Sequence, residues 1–281
     1  MRHGWDARGH QLIFDVGPLG CPYSAGHGHA DLLSVQCVAF GLPFLEDAGT
    51  YCYTPDRRWR DFFRGSRAHS ALTVDGRDQA EPAGPFSWKE RPAARLRRWQ
   101  STDRFDYADA DHDAFARRSD RVIHRRRVLF VKPDYWLIAD DVLGEEEHLV
   151  EVRFQFAPMV VTVDATGAAR AYGFGRRLLQ VHPFASVPLS AEVREGAIDP
   201  TDGWLAPDYG VRRPAPVLVY RLRARLPVRL LTLLLPSDDP FGPPRPVAAL
   251  AGDASGPAGI VFEDNGETAR FEGDSALVEG R

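Results

Sequence analysis

From about residue 65 onward, short apolar runs alternate with clusters of glycine, proline and aspartate. The runs are rich in valine, leucine, phenylalanine and tyrosine, which favour strands, and turn-forming residues separate them. They lie at residues 71–74, 122–131, 135–139, 149–156, 178–181, 217–222 and 228–235. This spacing is typical of an all-β protein, so we expect a large two-sheet antiparallel β-sandwich over residues 1–281.

One segment has the pattern of a short helix. Residues 55–64 begin with a proline, which is favoured in the first helical turn, and place Trp59, Phe62 and Phe63 on one side. We expect added strands after about residue 240. The glycine-rich tail forms either a frayed edge or a last hairpin with its turn at residues 264–267.

Composition excludes several classes of protein. With 44% hydrophobic and 26% charged residues, the chain is neither disordered nor fibrous. No apolar run approaches the roughly 18 residues of a membrane helix, and the N-terminal residues lack an apolar signal region, so we expect no membrane partner. The formal net charge is −4 and opposite charges are interspersed, which argues against a nucleic-acid partner. In a bacterium, the sequence is compatible with a location in either the periplasm or the cytoplasm.

Some histidines and all cysteines have no pattern that indicates chemistry. His112 and His124 lie in predicted strands with charged neighbours, and we expect them to be surface residues. Cys21, Cys37 and Cys52 lack paired metal-type spacing, so we expect buried free thiols.

The densest group of polar residues is a glycine-rich motif at residues 26–31, which contains His27 and His29. In extended chain, residues two apart project from one face, so both imidazoles would lie together. Asp47 follows an apolar run long enough to cross a sheet and return, and His69 precedes a predicted strand. Two imidazoles and one carboxylate are a common ligand set for zinc and leave a position for water or substrate. The other interpretation is that these histidines only make hydrogen bonds in turns.

Six segments carry a resemblance to a known family. The motifs Gly-His-Gly-His-Ala-Asp and Glu-Asp-Ala-Gly-Thr-Tyr occur in this order, followed by Arg-Ala-His-Ser. The segments are residues 14–20, 26–34, 45–51, 62–76, 111–115 and 125–141. Together they resemble the heparinase II/III-like family of polysaccharide lyases. The likeness covers most of residues 10–145, and beyond that it is only to a strand-rich tail.

The resemblance implies a large β-sandwich and a role for individual residues. It implies that His29, Asp47 and His69 bind zinc or another divalent metal, and that His27 faces the substrate cleft as a catalytic residue. The implied reaction is β-elimination on an acidic polysaccharide, in which a uronic acid loses its C5 proton and the 4-linked glycosidic oxygen leaves. Hydrogen bonds or positive charge at the uronate make that proton more acidic, and a histidine or tyrosine base takes it.

Four more side chains near these motifs are candidates for the same site. Tyr51 and Tyr53 are catalytic candidates as phenolic acids and could also stack on sugar rings, although packing in the core is the other interpretation. Arg64 and Arg67 are candidates for substrate binding, because a guanidinium binds uronate or sulfate through paired hydrogen bonds. A solvated helix end is the alternative for both arginines.

The resemblance also implies a partner. Members of the family carry an α/α-toroid before the sandwich, which supplies an asparagine or histidine and the tyrosine acid/base. This sequence begins at the sandwich, so we expect the toroid to act in cis or in trans, and the chain alone to be weakly active or inactive. One alternative is a non-catalytic module of the same fold that binds acidic glycan or supports the toroid. Another is a metal-dependent enzyme of unrelated chemistry.

Three positions depart from the family pattern. Ser70 stands where the family tends to have asparagine after the third metal ligand, and Ala114 and Phe115 stand where it has glycine and tyrosine. These departures concern the choice of polysaccharide more than the metal site.

Overall fold

Antiparallel strands joined by short turns dominate the computed structural model, which describes residues 1–21, 23–116 and 120–280. The described helices are α1 (Arg57–Phe63) and a 3₁₀ turn at Ser66–Ala68. The strands are β1 (Arg2–His3), β2 (His10–Phe14), β3 (Val35–Ala39), β4 (Leu42–Leu45), β5 (Leu72–Val74), β6 (Pro82–Gly84), β7 (Ser87–Trp88), β8 (Ala94–Ser101), β9 (Phe105–His112), β10 (Ile123–Val131), β11 (Tyr135–Leu143), β12 (Glu147–Gln155), β13 (Val160–Val163), β14 (Ala169–Gly173), β15 (Arg177–Ala185), β16 (Leu189–Arg194), β17 (Ala197–Ile198), β18 (Thr201–Asp202), β19 (Trp204–Asp208), β20 (Val211–Pro214), β21 (Val217–Arg225), β22 (Val228–Ser237), β23 (Val247–Leu250), β24 (Gly259–Phe262), β25 (Thr268–Glu272) and β26 (Ser275–Glu279).

An eight-stranded sheet forms the centre of the molecule, with the strand order β13-β14-β15-β22-β11-β10-β9-β8. Successive residues of a strand project to opposite faces, and both faces of the central strands β10, β11 and β22 are buried. On β10, Val128 and Phe130 join one hydrophobic core, while Leu129 and Val131 join a second core on the other face. This double burial explains why the central strands read as continuous apolar runs.

Different layers cover the two faces of the large sheet. The first face packs against the sheet β16-β21-β12-β5 and against the N-terminal sheet β1-β2-β3-β4. The second face packs against the C-terminal sheet β23-β24-β25-β26, through Ile260, Phe262, Ala269 and Phe271. The predicted β-sandwich is therefore confirmed, and the added C-terminal strands form a third layer.

Most predicted elements are present with shifted ends. All seven predicted runs fall on strands, namely β5, β10, β11, β12, β15, β21 and β22. Helix α1 begins after Asp56, whose side chain caps it by accepting from the Trp59 backbone N–H at 3.1 Å. The turn at residues 264–267 connects β24 and β25, so the tail ends in paired strands. The run before Asp47 crosses as β3 and returns as β4.

Two expectations about individual residues are wrong. His112 and His124 are buried, at 1% and 0% exposure, because β9 and β10 lie inside the large sheet and bury both of their faces. Cys37 and Cys52 are buried free thiols as expected, but Cys21 is exposed. In the described part of the chain, no helix is long and apolar enough to cross a membrane.

The double burial of the large sheet makes a prediction about stability. Leu129 is fully buried on β10. Its replacement by alanine should lower the unfolding free energy of the protein by about 2–5 kcal/mol, because the removed side-chain atoms leave a cavity in the core. The same replacement at Leu96, which is 52% exposed on the edge strand β8, should change the free energy by about 0.5 kcal/mol or less. Urea denaturation of L129A and L96A measures both values. Equal effects would contradict the buried position of Leu129.

Candidate metal centre and the surface beside it

Three loops bring the polar motifs together. His29 and Asp31 lie in the loop between β2 and β3, Asp47 follows β4, and His69 follows the 3₁₀ turn. His27 lies in a turn of the first loop rather than in a strand, so the period of two does not apply there.

The histidine loop needs glycine because its backbone folds closely on itself. A Cβ atom added at Gly28 would lie 2.9 Å from the Cα atom of Gly20, and Gly20 has a left-handed φ of +67°. The far side of the loop is tied down by two hydrogen bonds to the carbonyl and the N–H of Ala30. Ser66 Oγ donates to the Ala30 carbonyl at 2.6 Å, and the Ala30 N–H donates to the Arg64 carbonyl at 2.8 Å. These contacts fix the direction in which His29 projects.

His29, Asp31 and His69 form a cluster of possible metal ligands. One nitrogen or oxygen atom from each side chain lies within 4.8 Å of the others. The imidazole centroids of His29 and His69 are 5.2 Å apart. His69 Nδ1 is bonded to Asp47 Oδ2 at 2.9 Å, while His69 Nε2 is buried and has no hydrogen-bond partner among the described residues. His29 Nε2 lies 3.3 Å from Thr50 Oγ1.

The protonation of these groups follows from burial and from each other's charge. Burial and the neighbouring His69 lower the pKa of His29 to about 3, so His29 is a neutral imidazole. Burial disfavours the charged form of His69, but the Asp47 carboxylate outweighs it and raises the pKa of His69 to about 9. Burial raises the pKa of Asp31 to about 6, and contact with His69 holds the pKa of Asp47 well below its usual range despite its burial.

The cluster fits a divalent metal such as zinc. Two imidazoles and a carboxylate are zinc ligands, and the buried Nε2 of His69 has no hydrogen-bond partner of ordinary geometry among the described residues. A metal-binding imidazole usually makes a hydrogen bond to a carboxylate through its other ring nitrogen, and Asp47 holds this position on His69. Sequence reasoning did not single out Asp31 as a ligand, although it lies two residues after His29 in the same motif.

His27 belongs to a separate group of rings on the surface, which we call the aromatic cluster: His27, Tyr53, Phe86 and Tyr209. The Tyr53 ring lies 5.2 Å from His27, 5.6 Å from Phe86 and 5.8 Å from Tyr209. Phe86 is 43% exposed and Tyr209 is 58% exposed. The Arg60 guanidinium lies 5.0 Å from the Tyr53 ring. Phe86 and Tyr209 come from distant segments, and no sequence motif marks them.

Tyr51 is more enclosed than Tyr53. Its hydroxyl accepts a hydrogen bond from Arg212, and its ring lies 6.0 Å from Trp59 and 5.7 Å from Phe63. The backbone of Tyr51 has a φ of +64°, which a residue with a side chain rarely adopts. The surroundings of Tyr51 therefore match the interpretation that this side chain packs in the core. Tyr53 is the tyrosine that lies beside His27.

Arg64 and Arg67 both bind backbone carbonyls of nearby loops. Arg64 is fully buried, donates to the carbonyls of Pro85 and Ser87 at 2.6 and 2.7 Å, and lies 3.8 Å from the ring centroid of Trp88. In this arrangement it braces the loop and has no exposed surface for a substrate. Arg67 is half-buried and donates to the Gly76 carbonyl.

Comparisons with known proteins agree with this architecture. The sequence model of a family described as "Heparinase II/III-like, C-terminal" matches residues 3–263. The curated heparin-sulfate lyase of Pedobacter heparinus is 25% identical over 158 residues, which are 55% of this chain and 21% of that protein.

Two solved structures share the fold. The crystal structure of heparan sulfate lyase HepC from Pedobacter heparinus matches with a TM-score of 0.77 at 18% identity, over 99% of this chain and 40% of that chain. A crystal structure of heparinase III matches with a TM-score of 0.76 at 16% identity, over 100% of this chain and 40% of that chain. This chain spans about a fifth of the curated relative and two fifths of these solved chains.

The buried pair of His69 and Asp47 predicts how stability depends on pH in the metal-free protein. Because the pKa of His69 is raised to about 9, its contribution is complete below the unfolded value of 6.5 and is lost as the pH rises through about 9. Asp47→Asn removes the partner, so the variant should be less stable near neutral pH and should lose less stability on going to about pH 10. Denaturation at a series of pH values with a chelator tests this. An equal alkaline decline in both proteins would contradict it.

Proposed function

This chain belongs to the heparinase II/III-like C-terminal family, and we propose that it is the β-sandwich part of a polysaccharide lyase. The proposed reaction is β-elimination on a uronate-containing acidic glycan such as heparan sulfate. One observation carries the proposal: the exposed imidazole of His27 lies two residues before His29, which belongs to a partly buried set of metal-type ligands. The name of the curated relative, a heparin-sulfate lyase, supports the substrate class.

The metal in this proposal is zinc, held by His29, His69 and a carboxylate. Asp31 has an oxygen atom inside the cluster, and Asp47, the carboxylate that the resemblance implies, holds the Nδ1 atom of His69. Both carboxylates thus belong to the proposed centre, Asp31 as a candidate ligand and Asp47 as the hydrogen-bond partner of His69. When bound, zinc would supply fixed positive charge beside the cleft.

His27 is the proposed base. It is exposed and lies in the aromatic cluster, whereas His29 and His69 are enclosed in the metal-type cluster. In the elimination, a neutral imidazole takes the C5 proton, the electrons of the C5–H bond form the C4–C5 double bond, and the C4–O bond breaks. The departing oxygen needs a proton, and Tyr53, with its ring 5.2 Å from His27, is the nearest phenol for that role.

The aromatic cluster is the proposed contact surface for the glycan. Exposed rings from four separate segments converge at one place, and apolar patches of this kind mark binding sites on protein surfaces. Sugar rings have apolar faces that pack on Phe86 and Tyr209, while their charged groups stay in water. Arg67, in the 3₁₀ turn at Ser66–Ala68, is half-buried and remains the proposed arginine contact for uronate or sulfate.

The proposal includes an α/α-toroid as partner, in cis or in trans. This chain spans only part of its relatives, and the resemblance implies that the toroid supplies further acid/base groups. The second candidate function is a glycan-binding module of the same fold. The observation that favours it is the engagement of the Tyr51 hydroxyl by Arg212 and the burial of Arg64, which withdraw two of the candidate polar side chains from a substrate.

The zinc proposal predicts the metal content of variants. His29→Ala and His69→Ala should each bind zinc at least about tenfold more weakly, because each removes one of the few protein ligands. His182→Ala, which removes a half-buried histidine on β15, should bind zinc like the unsubstituted chain. Elemental analysis after dialysis against a zinc buffer measures the bound metal. Full zinc content in both ligand variants would contradict the assignment.

The role of His27 predicts separate effects on metal and on catalysis. His27→Ala should keep its zinc and should lose cleavage by about 100-fold or more, since general base catalysis contributes about that much. The measurement is the ultraviolet absorbance of the unsaturated product from heparan sulfate, with the chain alone and with a helical domain of the family joined to it or mixed in.

The two candidate functions give different results in that assay. A lyase gives product when the helical domain is supplied, and the product disappears in H27A. A binding module retains heparan sulfate on a column but gives no product under either condition. Unchanged cleavage by H27A would contradict the assignment of His27 as base.

A further inference from the structure

A fully buried arginine, Arg126 on β10, connects the large sheet to the loops of the candidate metal centre. Its Nε donates to Asp140 Oδ1 at 2.7 Å, and a terminal nitrogen donates to Asp140 Oδ2 at 3.2 Å. The other terminal nitrogen donates to two backbone carbonyls, that of Leu33 at 2.7 Å and that of Ser70 at 2.8 Å. One guanidinium therefore makes four hydrogen bonds to three separate segments.

The two carbonyls lie directly behind the candidate ligands. Leu33 is two residues after Asp31, and Ser70 is the residue after His69. The bonds from Arg126 thus hold the two loops that carry Asp31 and His69 at a fixed distance from each other and from the large sheet. A metal site requires such fixed spacing because its bond lengths tolerate only small displacements.

A chain of buried groups holds the orientation of Arg126. The backbone N–H of Ala114 donates to His112 Nδ1 at 3.3 Å, so the proton of this imidazole is on Nε2, 3.1 Å from His124 Nδ1. The proton of His124 is then on Nε2, which donates to Asp140 Oδ1 at 2.7 Å. Burial lowers the pKa of both histidines, so both are neutral: His112 donates to His124, and His124 donates to the charged carboxylate of Asp140. Asp140 in turn fixes the plane of the Arg126 guanidinium.

We propose that Arg126 is a positioning residue for the metal centre: it presets the spacing of the loops that carry Asp31 and His69, through its bonds to Leu33 and Ser70. The inference rests on the proposed zinc site. A fully buried guanidinium needs acceptors for the N–H groups that its carboxylate partner leaves free, and Arg126 finds them on the two loops that carry Asp31 and His69. The two additional bonds to the loop carbonyls are the feature that points to the metal centre.

The chain offers a matched control in the next residue. Arg127 is also buried on β10 and is paired with the next carboxylate of β11, Asp141, at 2.6 Å. Its side chain projects to the opposite face of the sheet, where its guanidinium lies 4.8 Å from the ring of Phe271 in the C-terminal layer. A substitution at Arg127 therefore disturbs a similar buried ion pair without touching the metal-centre loops.

The test compares Arg126→Lys with Arg127→Lys. Lysine keeps the positive charge beside the buried carboxylate but cannot make four hydrogen bonds in the guanidinium plane. We expect the zinc Kd of R126K to rise by about 10–100-fold, the usual effect of losing a supporting residue behind a metal ligand. R127K should keep the zinc Kd of the unsubstituted chain within about twofold, although it should lose thermal stability to a similar degree. The Kd is measured by competition with a chromophoric chelator, and the visible spectrum of the cobalt-loaded protein reports ligand geometry.

A second pair of variants provides the same test if R126K does not fold. Asp140→Asn removes the charge that orients Arg126, and Asp141→Asn removes its counterpart on the other face. Weaker zinc binding and a changed cobalt spectrum in D140N but not in D141N support the inference. Equal zinc affinity in both members of each pair would overturn the role of Arg126 and leave the zinc site standing. Absence of zinc binding in the unsubstituted chain would overturn both.

Discussion

Burial of both faces of the eight-stranded sheet is the constraint on which the rest of the structure depends. A sheet that is covered on both sides has no solvent-facing position for a polar side chain, so every charge on its central strands must find a partner inside the protein. Strands β10 and β11 meet this condition with two arginine–aspartate pairs, one for each face: Arg126 with Asp140 and Arg127 with Asp141. The first pair faces the N-terminal loops, and the second faces the C-terminal layer.

The candidate site is built on the first of these faces. The large sheet supplies a rigid platform, and the loops that carry the histidines lie over it, held by hydrogen bonds from Arg126, Ser66 and Gln79. Within the histidine loop, His29 and Asp31 join His69 in the partly buried cluster, while the turn at His27 leaves its ring exposed. The proposed metal ligand His29 and the proposed base His27 are thus two residues apart, one in the partly buried cluster and the other exposed.

The sequence predicted the parts of this structure that depend on local pattern, and missed those that depend on long-range packing. The predicted strands after residue 65 and helix α1 have periodic or compositional signals, and the structure contains them, whereas His27 lies in a turn and not in the extended chain expected for the His-x-His motif. The buried His112 and His124 were expected on the surface, because charged neighbours on a strand usually indicate solvent, and the layers packed on the first face of the large sheet reverse that rule. Phe86 and Tyr209 reach the site from segments far apart in the chain, which no motif records.

The central claim is that His29 and His69 share one metal ion, and anomalous diffraction at the zinc absorption edge tests it most directly. Crystals of the chain grown with equimolar zinc should show one strong anomalous peak, about 2.0–2.1 Å from a nitrogen of each of these two imidazoles. The same map should place a carboxylate oxygen of Asp31 or Asp47 in the coordination shell and should leave His27 outside it. A map without a peak between His29 and His69, or with zinc bound only elsewhere, would contradict the account.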